Sequence, residues 1–409
     1  MVTAALIGVT GFGRTHCADL LRLYGRGEIA IAAATIRDET KAPESAAALR
    51  AAGATIYTDH RAMLAAERRK LDFCFIPTGI AQHEPMTVAA LAAGASVFVE
   101  KPAAATLNQV RRMQAAEAAS NGRFVAVGYQ TMYVPETMVM KRAILDGMIG
   151  TLQAVKCRGL WPRPDTYYDR SPWIGHIRRG DTWILDSPFN NAFAHQLNMI
   201  AFLAGTSLEA TAELQSIEAE LYRARDIETA DTATMRIMTK QGVPLYFLVS
   251  HCSEGIVNPD LVVRGSKGTI HWTPERLVIT SGGTTVTEMD CLTGTNLRDA
   301  MLAAVLRRRD DPGTFICTLD IARAQTLAAN GAHLSSGVHK VPESSIARVP
   351  QDATMRTVIT GLDDLVARAF TEERLLSELG VAWAVPGRPI ALDTDAIAAA
   401  YPDQQGALP

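Results

Sequence analysis

Three short segments of the 409-residue chain carry residues suited to chemistry. Gly8-Val9-Thr10-Gly11-Phe12-Gly13 follows an apolar run and opens a stretch of helical spacing. A glycine-rich turn there presents backbone N–H groups at a helix N-terminus, where a pyrophosphate can be held. The spacing is G-x-G-x-x-G except at the middle position, where Thr10 adds bulk and a hydroxyl that can donate to a phosphate oxygen. The same glycines would also serve a tight turn that needs positive φ. Lys101, in Val99-Glu100-Lys101-Pro102, ends another apolar run. A cation beside a carbinol oxygen stabilises the alkoxide charge that develops there during hydride transfer. His195, in Asn191-Ala192-Phe193-Ala194-His195-Gln196-Leu197-Asn198, can exchange a proton near neutral pH.

These segments need elements to position them. Up to residue 130, apolar runs predict strands over 4–8, 29–36, 55–58, 71–77, 96–100 and 124–129. Helical spacing between them predicts helices over 12–24, 45–52, 60–66, 85–93 and 108–120. Apolar strands alternating with helices describe a parallel sheet covered on both faces. Beyond residue 130 a strand over 152–158 leads into a loop rich in Pro, Tyr, Trp and Arg over 161–180, then a helix over 191–204. Alternating strands follow over 230–239, 245–251, 261–264, 269–272 and 277–280, then helices over 297–308, 319–334 and 357–369. The expected fold class is α/β. It comprises an N-terminal Rossmann dinucleotide-binding domain over 1–130 and an α+β domain with a large, mostly antiparallel sheet over 131–345. A C-terminal extension over 346–409 would pack on the body or on a neighbouring subunit.

Composition excludes several classes. Forty basic and 43 acidic residues leave a net charge of -3, with no polybasic surface for nucleic acid or membrane. A hydrophobic share of 48% supports a large core and excludes disorder as the main state. No apolar run reaches the about 18 residues of a membrane span, and the N-terminus lacks a positive leader region. Six cysteines lie scattered without CxxC or zinc spacing, and the nine histidines do not cluster as ligands. No metal is expected, and the thiols read as reduced side chains of a cytoplasmic protein.

With the glycine loop, Pro77-Thr78-Gly79…His83, Glu100-Lys101-Pro102 and the downstream His195, the chain resembles the Gfo/Idh/MocA family from residue 1 to about 340. That family comprises glucose–fructose oxidoreductase, inositol dehydrogenase and their relatives. The resemblance implies NAD or NADP as cofactor, contacted by Gly8, Thr10, Gly11, Phe12, Gly13, Pro77, Thr78, Glu100, Lys101 and Gln130. It implies that Lys101 also reaches the substrate and that His83 sits at the nicotinamide edge. Read without the family, His83 is equally a surface residue preceding a helix. NAD specificity usually rests on an acid ending the second strand. Here Ala34-Thr35-Ile36-Arg37-Asp38 puts Thr35 or Ile36 at that place. Arg37 suits a 2′-phosphate and tips the expectation slightly to NADP, while Asp38 keeps NAD open.

The family's helix motif places an Asp four residues before its His and often a second Asp three after. Asn191 and Asn198 stand there instead. Positions four apart on a helix share a face, so Asn191 can accept from the His195 ring N–H and orient it. An amide does not stabilise an imidazolium as a carboxylate would, so Asp186 is the alternative support. The competing reading makes His195 a core or binding histidine. Tyr167, Tyr168, Arg170 and Trp173 fall where the resemblance places substrate-facing loop residues. Aromatic faces with polar tips suit a polyol ring, or else simply pack as a loop. The charged stretch 222–231 either meets an anion or pairs internally. The expected activity is hydride transfer between nicotinamide and a secondary alcohol or ketone of a sugar, sugar derivative or cyclitol, by a homo-oligomer (dimer or tetramer). The alternatives are a glycosidase or lyase with tightly bound NAD that oxidises transiently, and a non-catalytic nucleotide-binding regulator.

Overall fold

The computed structural model describes residues 1–402. The end of the expected extension, residues 403–409, lies outside the described residues. The chain forms two compact units. One comprises Met1–Ala104, Asn108–Tyr129 and Leu302–Ala322, and the other comprises the remainder. Residues 302–322, expected in the second domain, therefore belong to the first.

The first unit is a six-stranded sheet of β1 (Val2–Ile7), β2 (Ile29–Thr35), β3 (Thr55–Tyr57), β4 (Phe73–Ile76), β5 (Ser96–Val99) and β6 (Val125–Val127). Its order is β3-β2-β1-β4-β5-β6, and every pairing is parallel. The connecting helices are α1 (Gly13–Gly25), α2 (Pro43–Ala51), α3 (His60–Ala66), α4 (Ile80–Ala93) and α5 (Leu107–Ala118). Strands β4, β5 and β6 are buried at every position, which is why they read as unbroken apolar runs. The chain order reverses between β1 and β4. In open α/β sheets ligands bind at the carboxyl ends of the strands beside such a reversal. Helix α4 begins at Ile80, not at Pro85 as the sequence suggested, and Pro85 lies inside it.

The second unit opens with α6 (Pro135–Leu145), which the sequence reading missed, and β7 (Leu152–Leu160). The expected loop then holds α7 (Asp165–Asp169) and the small hairpin β8 (Arg178–Arg179) and β9 (Thr182–Trp183). Helix α8 (Ala194–Leu203) follows. Next come β10 (Leu214–Arg223), β11 (Thr232–Thr239), β12 (Pro244–Ser250), β13 (Val257–Gly265), β14 (Gly268–Trp272), β15 (Arg276–Ser281) and β16 (Thr284–Asp290). Helices α9 (Gly294–Arg308) and α10 (Leu319–Ser335) lead to β17 (Val338–Lys340). The large sheet runs β16-β15-β14-β13-β7-β12-β11-β10-β17 and is mostly antiparallel, with β7/β12 and β10/β17 parallel.

The C-terminal segment covers one face of this sheet. Hairpin β18 (Ile346–Gln351) and β19 (Thr354–Ile359) precedes α11 (Leu362–Glu372), so the helix expected over 357–369 is a strand in its first turn. Strand β20 (Ile390–Ala391), which pairs with β10, and α12 (Thr394–Ala400) follow. Leu160, Tyr222 and Leu248 of the sheet pack with Ile359, Val366 and Phe370 of this segment. Lys156 and Arg158, two apart on β7 and so on one face, both stack on Phe370 at 4.8 Å. On the other face Phe193 lies directly over Gly159, where no side chain would fit.

Candidate active site

In the first unit, the residues named from sequence gather at the carboxyl ends of β1, β4 and β5. Gly8 has φ +95° and donates its N–H to the Thr35 carbonyl at 3.1 Å. Gly11 has φ +57°, with open space where a Cβ would stand. Gly13 is required for a different reason: a Cβ there would lie 2.6 Å from the Gly8 carbonyl oxygen. The loop therefore closes on itself as α1 begins, leaving Thr10, Gly11 and Phe12 exposed. A Cβ on Gly8 would meet Thr78 Cγ2 at 3.4 Å, so the loop after β4, led by buried Pro77, flanks the glycine loop. This arrangement fits a pyrophosphate: a glycine turn at a helix N-terminus, with open space at Gly11.

Beside it, buried Glu100 is held at both ends. Its Oε1 lies 2.7 Å from His16 Nε2 of α1, and its Oε2 accepts the Lys101 N–H at 3.0 Å. His16 is 1% exposed and was missed from sequence. The available signal was a histidine in the first turn after the glycine loop. Half-buried Lys101 leaves this anchor, and the Lys101–Pro102 peptide is cis.

His83 is neither on the surface nor ahead of a helix. It lies in the first turn of α4, 1% exposed, with Nδ1 2.8 Å from the Pro102 carbonyl and Nε2 3.0 Å from the Thr78 carbonyl. Burial lowers its pKa, so the ring is neutral and gives one N–H to one of these two carbonyls. The ring sits between the segment after β5 and the loop after β4.

At the end of β2, Thr35 turns inward and donates to Met63 Sδ at 3.3 Å. Asp38 caps the following turn, accepting from Thr40 N at 3.1 Å and Thr40 Oγ1 at 2.6 Å. The Thr40 hydroxyl holds its carboxyl below the ordinary range. Arg37 is exposed.

In the second unit, His195 is half-buried in the first turn of α8. Asn191 does not share that helix. It belongs to a turn over 188–193, closed by Phe193 N–H to the Pro188 carbonyl at 2.7 Å. The two candidate supports of His195 turn out to be joined. Asn191 Nδ2 donates to Asp186 Oδ1 at 3.1 Å, and Gly175 N–H donates to Asp186 Oδ2 at 2.8 Å.

The far end of α8 is fixed by Lys141, which was also missed. Its ammonium donates to the carbonyls of Phe202, Gly205 and Ala210 at 2.5, 2.6 and 3.2 Å. Tyr167 and Tyr168 of α7 line a small cleft together with Asp186 and His251. Arg170 stacks on Tyr167, and Trp173 is half-buried outside the cleft lining. Gln130 begins a short 3-10 turn at the start of the second unit.

The strand order and glycine loop define a dinucleotide-binding fold joined to an α+β partner unit. The chain belongs to the Gfo/Idh/MocA oxidoreductase family. Residues 2–129 match its "Oxidoreductase family, NAD-binding Rossmann fold" model and residues 137–271 its C-terminal domain model. Similar curated proteins include the inositol 2-dehydrogenase of Pseudomonas syringae pv. syringae, 32% identical over 37% of this chain and 40% of that one. That of Klebsiella pneumoniae is 27% identical over 48% and 53%. The chain thus spans about half the length of the curated relatives it matches. Among solved structures, an NAD-binding oxidoreductase from Klebsiella pneumoniae has the same fold, with TM-score 0.69 and 18% identity over 82% of this chain and 96% of that one. The WlbA dehydrogenase of Bordetella pertussis, solved with NADH and UDP-GlcNAcA, has TM-score 0.64 and 20% identity over 82% and 97%. Among the described residues no helix is long and apolar enough to cross a membrane, and no His, Cys, Asp and Glu group is arranged to hold a metal.

Proposed function

We propose that the protein is an NAD(P)-dependent dehydrogenase that interconverts a secondary alcohol and a ketone on a sugar, sugar derivative or cyclitol. The observation that carries this reading is the glycine loop at the β1/β4 reversal with the anchored Glu100–Lys101 segment two strands away. The exposed turn over Thr10, Gly11 and Phe12, where α1 begins, would hold the pyrophosphate, and the Pro77–Thr78 loop would flank it. The nicotinamide supplies the hydride acceptor or donor. Lys101 stabilises negative charge on the carbinol oxygen. His195 takes or returns its proton, with Asn191 steadied by Asp186 as its positioning residue. Arg37, exposed at the end of β2 while Thr35 and Asp38 bond elsewhere, would meet the 2′-phosphate of NADP.

Reduced-nicotinamide absorbance with NAD or NADP and a panel of sugars, sugar acids and cyclitols tests the reading. A polyol-dependent signal is expected, with Lys101→Ala slowing it by about a hundredfold or more. Arg37→Gln is expected to raise the KM for NADP more than that for NAD. Silence across the panel, with nucleotide released on denaturation, would replace this reading with a closed cycle of transient oxidation.

A further inference from the structure

The hairpin of β8 and β9 is two residue pairs long, Arg178 with Trp183 and Arg179 with Thr182, and Gly180 turns it at φ +57°. A hairpin that short does not hold itself in water. The chain leaving it is nevertheless closely placed, because Asp186 stands three residues past Trp183 and lines the cleft. Ile184 and Leu185 N–H both donate to the Ile177 carbonyl, at 3.0 and 3.1 Å, and Asp186 N–H donates to the His176 carbonyl at 3.1 Å. Leu185 is held at φ +51°, a left-handed conformation that a residue other than glycine keeps only where its surroundings impose it.

Two holds on the hairpin come from distant parts of the chain. Glu228 makes one, with Oε1 3.0 Å from His176 Nδ1 and Oε2 accepting the Ile177 N–H at 2.9 Å. The C-terminal segment makes the other. The Tyr401 ring meets the Trp183 ring edge-on at 5.0 Å, and Trp183 Nε1 donates to the Pro402 carbonyl at 3.2 Å. Arg178 lies over the same indole, 3.4 Å from its ring centre, so this contact grips both strands of the hairpin.

The second unit is shaped to deliver Tyr401 to that place. A Cβ on Gly387 would overlap the Ala219 carbonyl oxygen of β10, and a Cβ on Gly331 of α10 would overlap Leu392 Cδ2. Neither glycine has positive φ, so close approach of the segment is what requires them. Arg388 N–H donates to the Ser335 carbonyl at 2.8 Å, and Ser335 Oγ returns a bond to the Arg388 carbonyl at 2.7 Å. Asp393 caps α12 by accepting from Asp395 and Ala396 N–H. Tyr401, 4% exposed, then donates its hydroxyl to the Asn330 carbonyl of α10 at 2.7 Å. Five residues earlier on that helix, Gln325 Nε2 donates to the Phe189 carbonyl and to Asn190 Oδ1, both at 3.0 Å, in the turn that carries Asn191. One helix therefore registers both the C-terminal segment and the turn bonded to Asp186.

We propose that residues 386–402 act as a latch on the β8–β9 hairpin. Tyr401 and Trp183 are its positioning residues, fixing Asp186 in the cleft and, through its bond to Asn191, the turn that leads into His195. Their effect on turnover rests on the dehydrogenase reading above, whereas the latch itself does not.

Amide hydrogen exchange of the full chain, read peptide by peptide, tests the latch. Tyr401→Ala and Trp183→Ala are each expected to speed exchange across residues 176–186 about tenfold or more, with β11 and β12 unchanged. Because the two rings act on each other, the double variant should exchange within about twofold of the faster single one. Tyr401→Phe keeps the ring and should stay within about twofold of wild type. With a polyol that supports nicotinamide reduction, Tyr401→Ala should lower kcat about fivefold or more, leave the nucleotide KM within about twofold, and be rescued by Tyr401→Phe. Wild-type hairpin exchange in both Ala variants, an equal rise in β11 and β12, or effects that multiply in the double variant would overturn the latch. Full turnover in both Ala variants would overturn the positioning role and keep the dehydrogenase reading. Faster hairpin exchange in the variants, when even the wild type reduces no nicotinamide, keeps the latch and removes the dehydrogenase reading.

Discussion

Glu100 Oε1 lies 2.7 Å from His16 Nε2, joining the end of β5 to the first turn of α1 in a buried contact. The other carboxylate oxygen holds the N–H of Lys101. Gly128 closes the opposite side, where a Cβ would come within 3.2 Å of the Glu100 carboxyl carbon. The acid in this motif is therefore a bolt between the glycine-loop helix and the lysine, and it sets the direction in which Lys101 leaves the sheet.

Replacing Glu100 by Gln keeps the shape but removes the charge and gives one of its two neighbours a mismatched amide. Stability is expected to fall by about 2 kcal/mol, as for a lost charge-assisted bond, read from urea midpoints. Turnover should fall by about tenfold or more while the KM for the nucleotide changes by less than about twofold. An unchanged kcat would remove Glu100 from the positioning of Lys101.

Two glycines of the same loop should respond differently to Ala. At Gly13 the new Cβ meets the Gly8 carbonyl at 2.6 Å, a backbone atom that cannot step aside without reshaping the loop. Gly13→Ala is expected to weaken NADH binding by about tenfold or more and to cost about 1–3 kcal/mol of stability. At Gly11 the space is open and only the left-handed φ is penalised, so Gly11→Ala should cost about 1 kcal/mol. Nucleotide fluorescence titration of the two variants compares them directly, and equal losses would refute the crowding argument.

What the sequence conveyed divides along physical lines. The strands of the first unit are buried on both faces, so composition alone marks them. The start of α4 was misplaced because Pro85 looked like a first-turn proline, whereas extended Gly79 precedes the helix. That shift hid His83 inside the core. Strand β10 was not expected because Glu218 and Glu220 interrupt its apolar pattern. Glu220 is fully buried, bonded to Tyr222 at 2.8 Å and to Ser377 at 2.5 Å, 157 residues away. Such a partner leaves no local trace. The same holds for the Asn191–Asp186 contact, since the chain between them is a turn and not the helix that spacing suggested.

Lys141, on α6, anchors the helix that carries His195 from the end opposite that histidine. Its three carbonyl acceptors include Phe202 in the last turn, where a cation also meets the negative end of the helix dipole. Lys141→Met preserves volume but strands these carbonyls in a buried site. A loss of about 3 kcal/mol is expected from thermal or urea unfolding. Lys141→Arg should recover part of it only if the larger head can be seated. A Met variant as stable as wild type would show that the carbonyls find other donors.

His333 on α10 provides a test by pH. Its Nε2 is buried without a partner among the described residues, and its ring lies 5.4 Å from Phe189. Burial lowers its pKa from 6.5 to about 4. The unfolded chain takes up a proton here below about pH 6.5, and the native chain does not until about pH 4. Stability is therefore complete above the unfolded value and falls as pH drops through this window, by about 1.4 kcal/mol per pH unit. His333→Leu removes the titrating group. The wild-type stability minus that of the variant should be flat from about pH 7 to 9 and fall by about 2–3 kcal/mol between about pH 6.5 and 4.5. His251, lowered in the same direction, is present in both proteins and cancels in the difference. Guanidinium midpoints across the range supply the measurement. A difference that stays flat below pH 6.5 would mean that His333 accepts its proton in the folded state as readily as in the unfolded chain.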